Sequence, residues 1–460
     1  MFRPLSFACV AIPALFAASL FGGTPLDDYV AKPDDAYRHE PVRKIAGKGF
    51  TAHVHELVSQ RWTTPTAADR ELWTHWLILY VPDEAEGSTG LLFINGGSNG
   101  RKAPEKADET FAKMAVATKT VVVDLKMVPN QPLSYPDDEF GPRKEDELIS
   151  YNWRQYLDGG DPQWLTRLPM TKSAVRAMDA VTEITDGQVE KFFVMGASKR
   201  GWTTWTTAAV DKRVIGISPL VIDMLNVIPS FIHHYRVYGF WAPAVGDYFR
   251  EGLMDRSETT EYERLMEIVE PYSYRDRYTM PKYLVHGAGD QFFLPDSSQF
   301  YFSALPGEKY LRYVPNTDHS LRDSDALEGL IAFYDAVAKG TPRPKFGWSF
   351  GADGAIHVTP EDRPTAVKLW MAHNPRHRDF RLENVGKIWT SVELEAKDGE
   401  YVARPHQPAE GYLAYFVELT YPSRLKGVPF KFTTGVRVTP DRYEHPRPVP
   451  GETEVGPQKR

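Results

Sequence analysis

From about Leu91 to Phe333 the chain alternates short β-rich apolar runs with helical stretches, and this alternation narrows the fold more than any other feature. The runs are Leu91–Asn95, Thr120–Leu125, Lys191–Met195, Val214–Ile222, Tyr283–His286 and Tyr310–Val314, each bounded by Gly, Pro, Asp or Asn. Between them apolar residues recur at helical spacing, as in Ala174, Ala177, Met178, Val181 and Ile184. Strands alternating with helices predict an α/β fold, a mostly parallel sheet with helices on both faces. Continuous rather than alternating apolar runs fit strands buried on both sides.

Two stretches depart from the alternation. Residues 225–280 separate two strands by more than a normal crossover needs and are rich in aromatics such as Phe231, Tyr235, Trp241 and Tyr248. They are expected to form a helical cap insertion over one edge of the sheet; the plainer alternative is a thick helical layer of the core. After Gly340, Thr341-Pro-Arg-Pro-Lys345 reads as a linker. Strand-like runs then follow at Ala355–Val358, Val367–Ala372, Tyr412–Leu419 and Phe430–Val436. They predict a small C-terminal all-β sandwich-like domain over 345–440. The Pro/Glu/Lys-rich stretch 446–460 reads as a disordered tail.

At the other end, Met1-Phe2-Arg3 precedes an almost wholly apolar run from Pro4 to Phe21 that ends near Ala17, Ala18 and Ser19. Residues 1–23 read as a signal peptide, which leaves a domain over 24–340. An N-terminal membrane anchor and a lipid-bearing Cys9 are the alternatives. No other run is long enough to span a bilayer. Cys9 is the one cysteine, so the mature chain is expected to carry no disulfide and no thiol chemistry. This fits an exported protein, periplasmic or secreted. The net charge of −7 disfavours nucleic acid as a partner.

The strongest chemical signal is Phe192-Phe-Val-Met-Gly196-Ala-Ser198-Lys-Arg-Gly201. A strand runs into a serine flanked by small residues, and a helix follows from Trp202. A nucleophile on so sharp a turn needs small neighbours. Gly196 stands two before the serine; Arg200 occupies the place two after it, where glycine is usual, and Gly201 comes one later. The partners follow in the order of the α/β-hydrolase fold. Tyr283-Leu-Val-His-Gly-Ala-Gly-Asp290 ends a strand in an acid, and Tyr310 to His319 ends the next in a histidine. A serine hydroxyl needs an imidazole base, and the imidazole needs a carboxylate to fix its tautomer. Ser198, His319 and Asp290 are therefore the expected catalytic residues. Asp223, after the earlier strand, is the rival acid, with Asp296 and Asp318 also nearby.

Leu92-Phe-Ile-Asn95-Gly96-Gly97 supplies a Gly-rich loop where such enzymes present a backbone N–H to an oxyanion. Gly96 and Gly97, with the N–H of Lys199, are the candidate oxyanion donors. Arg200, Trp202 and Asn95 are candidate substrate-binding residues. Lys199 and Arg200 either pair with nearby carboxylates or stay in the site and hold an anionic substrate group. The loop lacks the G-K-[ST] pattern of a phosphate cradle. His233-His234 and the pair His373 and His377 lack metal-ligand spacing, so no metal and no cofactor is expected.

The chain resembles the PhoPQ-activated pathogenicity-related protein family. The resemblance is carried by Leu26-Asp-Asp-Tyr-Val-Ala31, Gly196-Ala-Ser-Lys-Arg-Gly-Trp-Thr-Thr-Trp205, Val221-Ile-Asp-Met-Leu-Asn226, Asp290-Gln-Phe-Phe-Leu-Pro-Asp-Ser-Ser298 and Gly307-Glu-Lys-Tyr-Leu-Arg-Tyr-Val-Pro-Asn316. It implies an exported α/β-hydrolase linked by the family's name to virulence, with Ser198, Asp290 and His319 at the family's Ser, Asp and His. The expected function is a serine hydrolase cleaving an ester or a peptide bond in a small-molecule or peptide substrate. Because the family also includes secreted growth-restraining proteins, the alternative is a non-catalytic binding or signalling protein on the same fold.

Overall fold

The structure, a computed structural model, describes residues 23–457. The signal-peptide assignment and Cys9 therefore lie outside the described residues, save for Gly23. The chain opens with a short helix, α1 (Pro25–Ala31), and then forms three strands that the sequence reading had not placed: β1 (Arg38–Gly47), β2 (Phe50–Arg61) and β3 (Leu72–Pro82). The alternating part follows as β4 (Thr89–Ile94), α2 (Glu109–Thr118), β5 (Val122–Leu125), α3 (Glu145–Gly159), α4 (Arg167–Ile184), β6 (Lys191–Ala197), α5 (Lys199–Val210) and β7 (Val214–Leu220). The insertion 225–280 is helical, with α6 (Val227–Tyr238), α7 (Gly246–Arg250) and α8 (Thr260–Val269). The chain then re-enters the sheet through β8 (Lys282–Gly287) and β9 (Lys309–Val314), followed by α9 (Ala326–Ala338).

The strands lie in the order β1-β2-β3-β5-β4-β6-β7-β8-β9. Strands β5 to β9 are parallel, whereas β1, β2 and β3 run antiparallel along the edge. This order, with the β4/β5 reversal and a strand-to-helix turn after β6, is that of an α/β-hydrolase fold. Helices α4 and α5 pack on one face, α2 and α9 on the other. Strand β6 shows how the two layers are fed. Phe192 and Val194 point into the apolar cluster under α4 and α5, and Phe193 and Met195 into the cluster under α9.

The C-terminal region is all-β as expected, but it is joined to the central sheet. Its strands are β10 (Phe346–Phe350), β11 (Ile356–Pro360), β12 (Ala366–Asn374), β13 (Thr390–Glu393), β14 (Tyr401–Ala403), β15 (Tyr412–Tyr421), β16 (Phe430–Thr433) and β17 (Arg437–Thr439), with one short helix, α10 (Leu382–Val385). A small sheet, β10-β11-β14, packs Ile356 and Val358 into the same cluster as Leu369 and Val417 of the larger sheet. That much is sandwich-like. Yet the larger sheet is no separate body, because it continues the central one through β9-β16-β15-β12-β13. The junction is apolar and charged at once. Phe432 stacks on Tyr310 with centroids 4.2 Å apart. Arg312, fully buried on β9, pairs with Glu418 of β15 and, at 2.8 Å, with Asp325.

The tail is also corrected. Up to residue 457 it is ordered: the Trp241 amide donates to the Glu454 carbonyl at 2.8 Å, and the Gly456 amide donates back to Trp241 at 2.9 Å. Val455 packs on the core there, so a short apolar anchor offsets the polar composition around it.

Truncation after Lys339 is therefore expected to yield aggregated protein, since it strips the cover from β9 and leaves Arg312 without Glu418. The milder variant Glu418→Gln should fold but lose roughly 3 kcal/mol in urea unfolding. A soluble, cooperatively folding truncate would show that the β region is dispensable for the core.

Candidate active site

Ser198 closes β6 and opens α5. Its backbone sits at φ 57°, ψ −126°, a conformation that side-chain-bearing residues rarely adopt. Its amide donates to the Leu220 carbonyl at 2.8 Å, which fixes the turn against β7. The neighbouring glycines are steric requirements. A Cβ on Gly196 would lie 2.5 Å from the Arg200 carbonyl oxygen, and one on Gly201 would lie 2.9–3.0 Å from Ile222 and the Gly196 and Leu220 carbonyls. So Gly201 takes up the close approach that the unusual Arg200 could not.

The loops after β8 and β9 bring the acid and the histidine together. His319 Nδ1 lies 2.7 Å from Asp290 Oδ2. The other Asp290 oxygen accepts the Phe292 amide at 2.7 Å. Gly287 and Gly289 allow this contact, because a Cβ on either would meet the Thr317–Asp318 backbone. The His319 ring rests against Phe292, with centroids 4.4 Å apart. Its Nε2 is buried and has no hydrogen-bond partner among the described residues. No hydrogen bond joins Ser198 to His319 there, and such pairs often close only around a substrate.

The C-terminal region braces both loops. The Leu382 amide donates to the Gly289 carbonyl at 2.9 Å, and Asn316 exchanges two 2.9 Å hydrogen bonds with the Trp389 backbone. These contacts from beyond residue 380 have no motif in the sequence to announce them.

The structure separates Asp223 from Asp290. Asp223 is buried and accepts the hydroxyls of Tyr301 and Tyr313 at 2.6 and 2.7 Å, and it makes no hydrogen bond with His319 among the described residues. Burial, outweighing these two hydrogen bonds, pushes its carboxyl up to about 8. Asp296 is occupied by His233 and Arg378 at 2.9 and 2.6 Å, and Asp318 by Ser320 at 2.6 Å.

A pocket opens beside Ser198, roofed by the helical insertion through Val227, Phe231, Val245 and Tyr248. Trp202 lines it, and its indole N–H donates to the Val269 carbonyl of α8 at 2.6 Å, which ties the roof to α5. Among the oxyanion candidates, the Lys199 amide is at the first turn of α5, where helix N–H groups lack intrahelical partners. Gly97, at φ 146°, donates its amide to no group among the described residues. Gly96 does not fit, because its amide donates to Asn95 Oδ1 at 2.8 Å. Asn95 is spent on the same contact and on Asp124, at 2.9 Å, and is absent from the pocket wall.

The cations after the serine are both paired. Lys199 Nζ lies 2.9 Å from Glu145 and 3.1 Å from Asp146. Arg200 grips Glu145 with two 2.7 Å hydrogen bonds and donates to the Val128 carbonyl at 2.6 Å. Burial pushes the Glu145 carboxyl up, but Arg200 and Lys199 outweigh it and hold it at about 2. Arg200 as a substrate-binding residue is thereby corrected: its guanidinium ties α5 to the start of α3 and to the loop after β5. The pocket wall instead includes a buried arginine that sequence reasoning missed, Arg167 at the start of α4. Three of the four candidate metal histidines are otherwise engaged, His233 with Asp296, His234 with the Ala242 amide at 3.0 Å and His373 with the Glu410 carbonyl at 2.9 Å, and His377 lies 3.6 Å from Glu444. Among the described residues no group of three or more His, Cys, Asp or Glu side chains could hold a metal ion.

A family model described as PhoPQ-activated pathogenicity-related protein matches residues 26–381. Autocrine proliferation repressor protein A of Dictyostelium discoideum is 38% identical over 456 residues, covering 92% of each chain. Among solved structures, an acetyl xylan esterase from a Thermoanaerobacterium species is 16% identical, covering 64% of this chain and 88% of its own, with a TM-score of 0.45. An acylaminoacyl peptidase from Pyrococcus horikoshii is 13% identical, covering 68% and 51%, with a TM-score of 0.41.

The buried Asp223 carboxyl makes a test of the site's electrostatics. An unfolded Asp loses its proton near pH 4, whereas the folded one keeps it to about 8. Between those values the folded state binds the extra proton, so this residue lowers stability as pH rises. Asp223→Asn should remove that component, and its stability relative to the parent should climb from pH 4 to pH 8 in denaturant unfolding. A pH-independent difference would contradict a protonated Asp223.

Proposed function

The chain belongs to the PhoPQ-activated pathogenicity-related protein family, and from that premise we propose that it is an exported serine hydrolase cleaving an ester or amide bond. The observation that carries the reading is the 2.7 Å contact between His319 Nδ1 and Asp290 Oδ2, formed by the loops that follow β8 and β9, on the sheet that ends β6 in the strained Ser198. In this mechanism Asp290 holds His319 in the tautomer whose Nε2 is free to accept a proton. Ser198 Oγ attacks the substrate carbonyl as Nε2 takes its proton. The negative oxygen of the tetrahedral intermediate is held by the amides of Lys199 and Gly97. His319 then protonates the leaving group, and water, activated by the same imidazole, releases the acyl group from Ser198.

The apolar run Pro4–Phe21 supports export, to the periplasm or beyond. Among the described residues no helix is long and apolar enough to cross a membrane. A second reading, a secreted signalling protein that does not turn over substrate, draws support from the name of the Dictyostelium relative.

Turnover of a panel of acyl 4-nitrophenyl esters and aminoacyl 4-nitroanilides separates the readings. Ser198→Ala should lower the rate by on the order of a millionfold and leave unfolding unchanged. Asp290→Asn should lower it by on the order of ten-thousandfold. Asp223→Asn, which replaces a neutral acid with a neutral amide, should keep it within about threefold. A wild-type rate in Ser198→Ala would refute the nucleophile, and the reverse ranking of the two aspartates would move the acid to Asp223.

A further inference from the structure

Arg167 is 3% exposed and makes no ion pair among the described residues. One guanidinium nitrogen donates to the Lys199 carbonyl at 2.8 Å, and the guanidinium carbon lies 4.5 Å from the centroid of the Trp202 ring. Its Nε is buried with no hydrogen-bond partner. Burial pulls its pKa down, which is the sign of a charge short of compensation. Tyr248 and Asp146 attract its charge, Tyr248 also through a side-chain hydrogen bond, but Asp146 makes no ion pair with it and already accepts from Lys199 at 3.1 Å and from Tyr248 at 3.1 Å. A buried guanidinium without a carboxylate is costly to a fold, and this one faces the pocket that contains Ser198.

We propose that Arg167 is the specificity determinant of this site and binds a carboxylate on the acyl part of the substrate. The inference rests on the hydrolase reading above. A carboxylate suits the geometry better than a phosphate dianion: one positive charge is free, while Lys199 and Arg200 are neutralised by Glu145 and Asp146. The planar fork matches a carboxylate, and the cation–π contact with Trp202 holds the guanidinium in place. The acyl side is favoured because the leaving group must exit after the first step, whereas the acyl group stays on Ser198. A cation this deep suits the part that stays. The rest of the wall, Phe231, Val245, Phe292 and Phe293 among it, fits a methylene or aromatic spacer between the carboxylate and the reacting carbonyl.

The test compares mono-4-nitrophenyl esters of glutaric, adipic and pimelic acid with the 4-nitrophenyl esters of pentanoic, hexanoic and heptanoic acid. The wild type is expected to prefer the charged ester by at least about tenfold in kcat/KM, about 1.4 kcal/mol, at one chain length or more. Arg167→Met, which also loses the bond to the Lys199 carbonyl, should slow the charged series far more than the neutral one and bring the ratio to within about threefold, and Arg167→Lys should fall between the two. Equal handling of both series by wild type, a preserved preference in Arg167→Met, or an equal loss on both series would overturn the proposal. Calorimetric titration of Ser198→Ala with monomethyl adipate reads binding without turnover, and the same titration of Ser198→Ala/Arg167→Met should show none. Binding that needs Arg167 in a protein that turns over neither the esters nor the aminoacyl 4-nitroanilides would sink the hydrolase reading and leave Arg167 as a carboxylate-binding site. Hydrolysis of neutral esters with no carboxylate preference and no titration signal would do the opposite. If Arg167→Met does not fold, the wild-type ratio and the Ser198→Ala titration decide.

Discussion

Ser198 is held in a backbone conformation costing on the order of 1–3 kcal/mol, and the centre of the molecule is arranged to keep it there. The strand before it is buried on both faces, so the turn cannot relax outwards. Its amide is committed to Leu220, and Gly196 and Gly201 let the α5 backbone pass over the strand end at distances no side chain would permit. The Arg167 guanidinium reaches across from α4 to the Lys199 carbonyl and pins the first turn from the other side. Strain of this kind persists only where the surroundings over-determine it, and it leaves the hydroxyl at the pocket with the helix amides behind it.

Charge around the serine is distributed in a way the bare sequence would not suggest. Three cations crowd the first turns of α4 and α5. Glu145 satisfies Arg200 fully and shares Lys199 with Asp146, so these two cations tie α3 to α5. Arg167 has the Lys199 carbonyl, the Trp202 ring and Tyr248 beside it and forms no ion pair among the described residues.

Much of the architecture was legible because its signals are local. Buried parallel strands announce themselves as apolar runs, and the small residues around Ser198 and the Gly-rich approach to Asp290 mark turns that only such residues can make. The edge strands β1 to β3 were harder. The exposed pattern of β1 and the charged and histidine residues of β2, such as His53, His55 and Glu56, hide strand periodicity that becomes plain only once β5 is beside β3. The C-terminal region read as a separate domain because nothing within Phe430–Thr433 states that its partner is β9; that pairing is decided by Phe432 on Tyr310 and by Glu418 reaching Arg312. Arg167 was invisible for the same reason. It stands 32 residues before Lys199, in an ordinary amphipathic helix, and its significance is the carboxylate it lacks.

The central claim is that Ser198 is an activated nucleophile, and covalent labelling reads this most directly. Native protein treated with a fluorophosphonate and mapped by peptide mass spectrometry should carry one phosphonyl group, on Ser198. Labelling should be lost in His319→Ala and after denaturation, because a serine hydroxyl alone is a weak nucleophile. Labelling elsewhere, or none in the folded protein, would contradict the account.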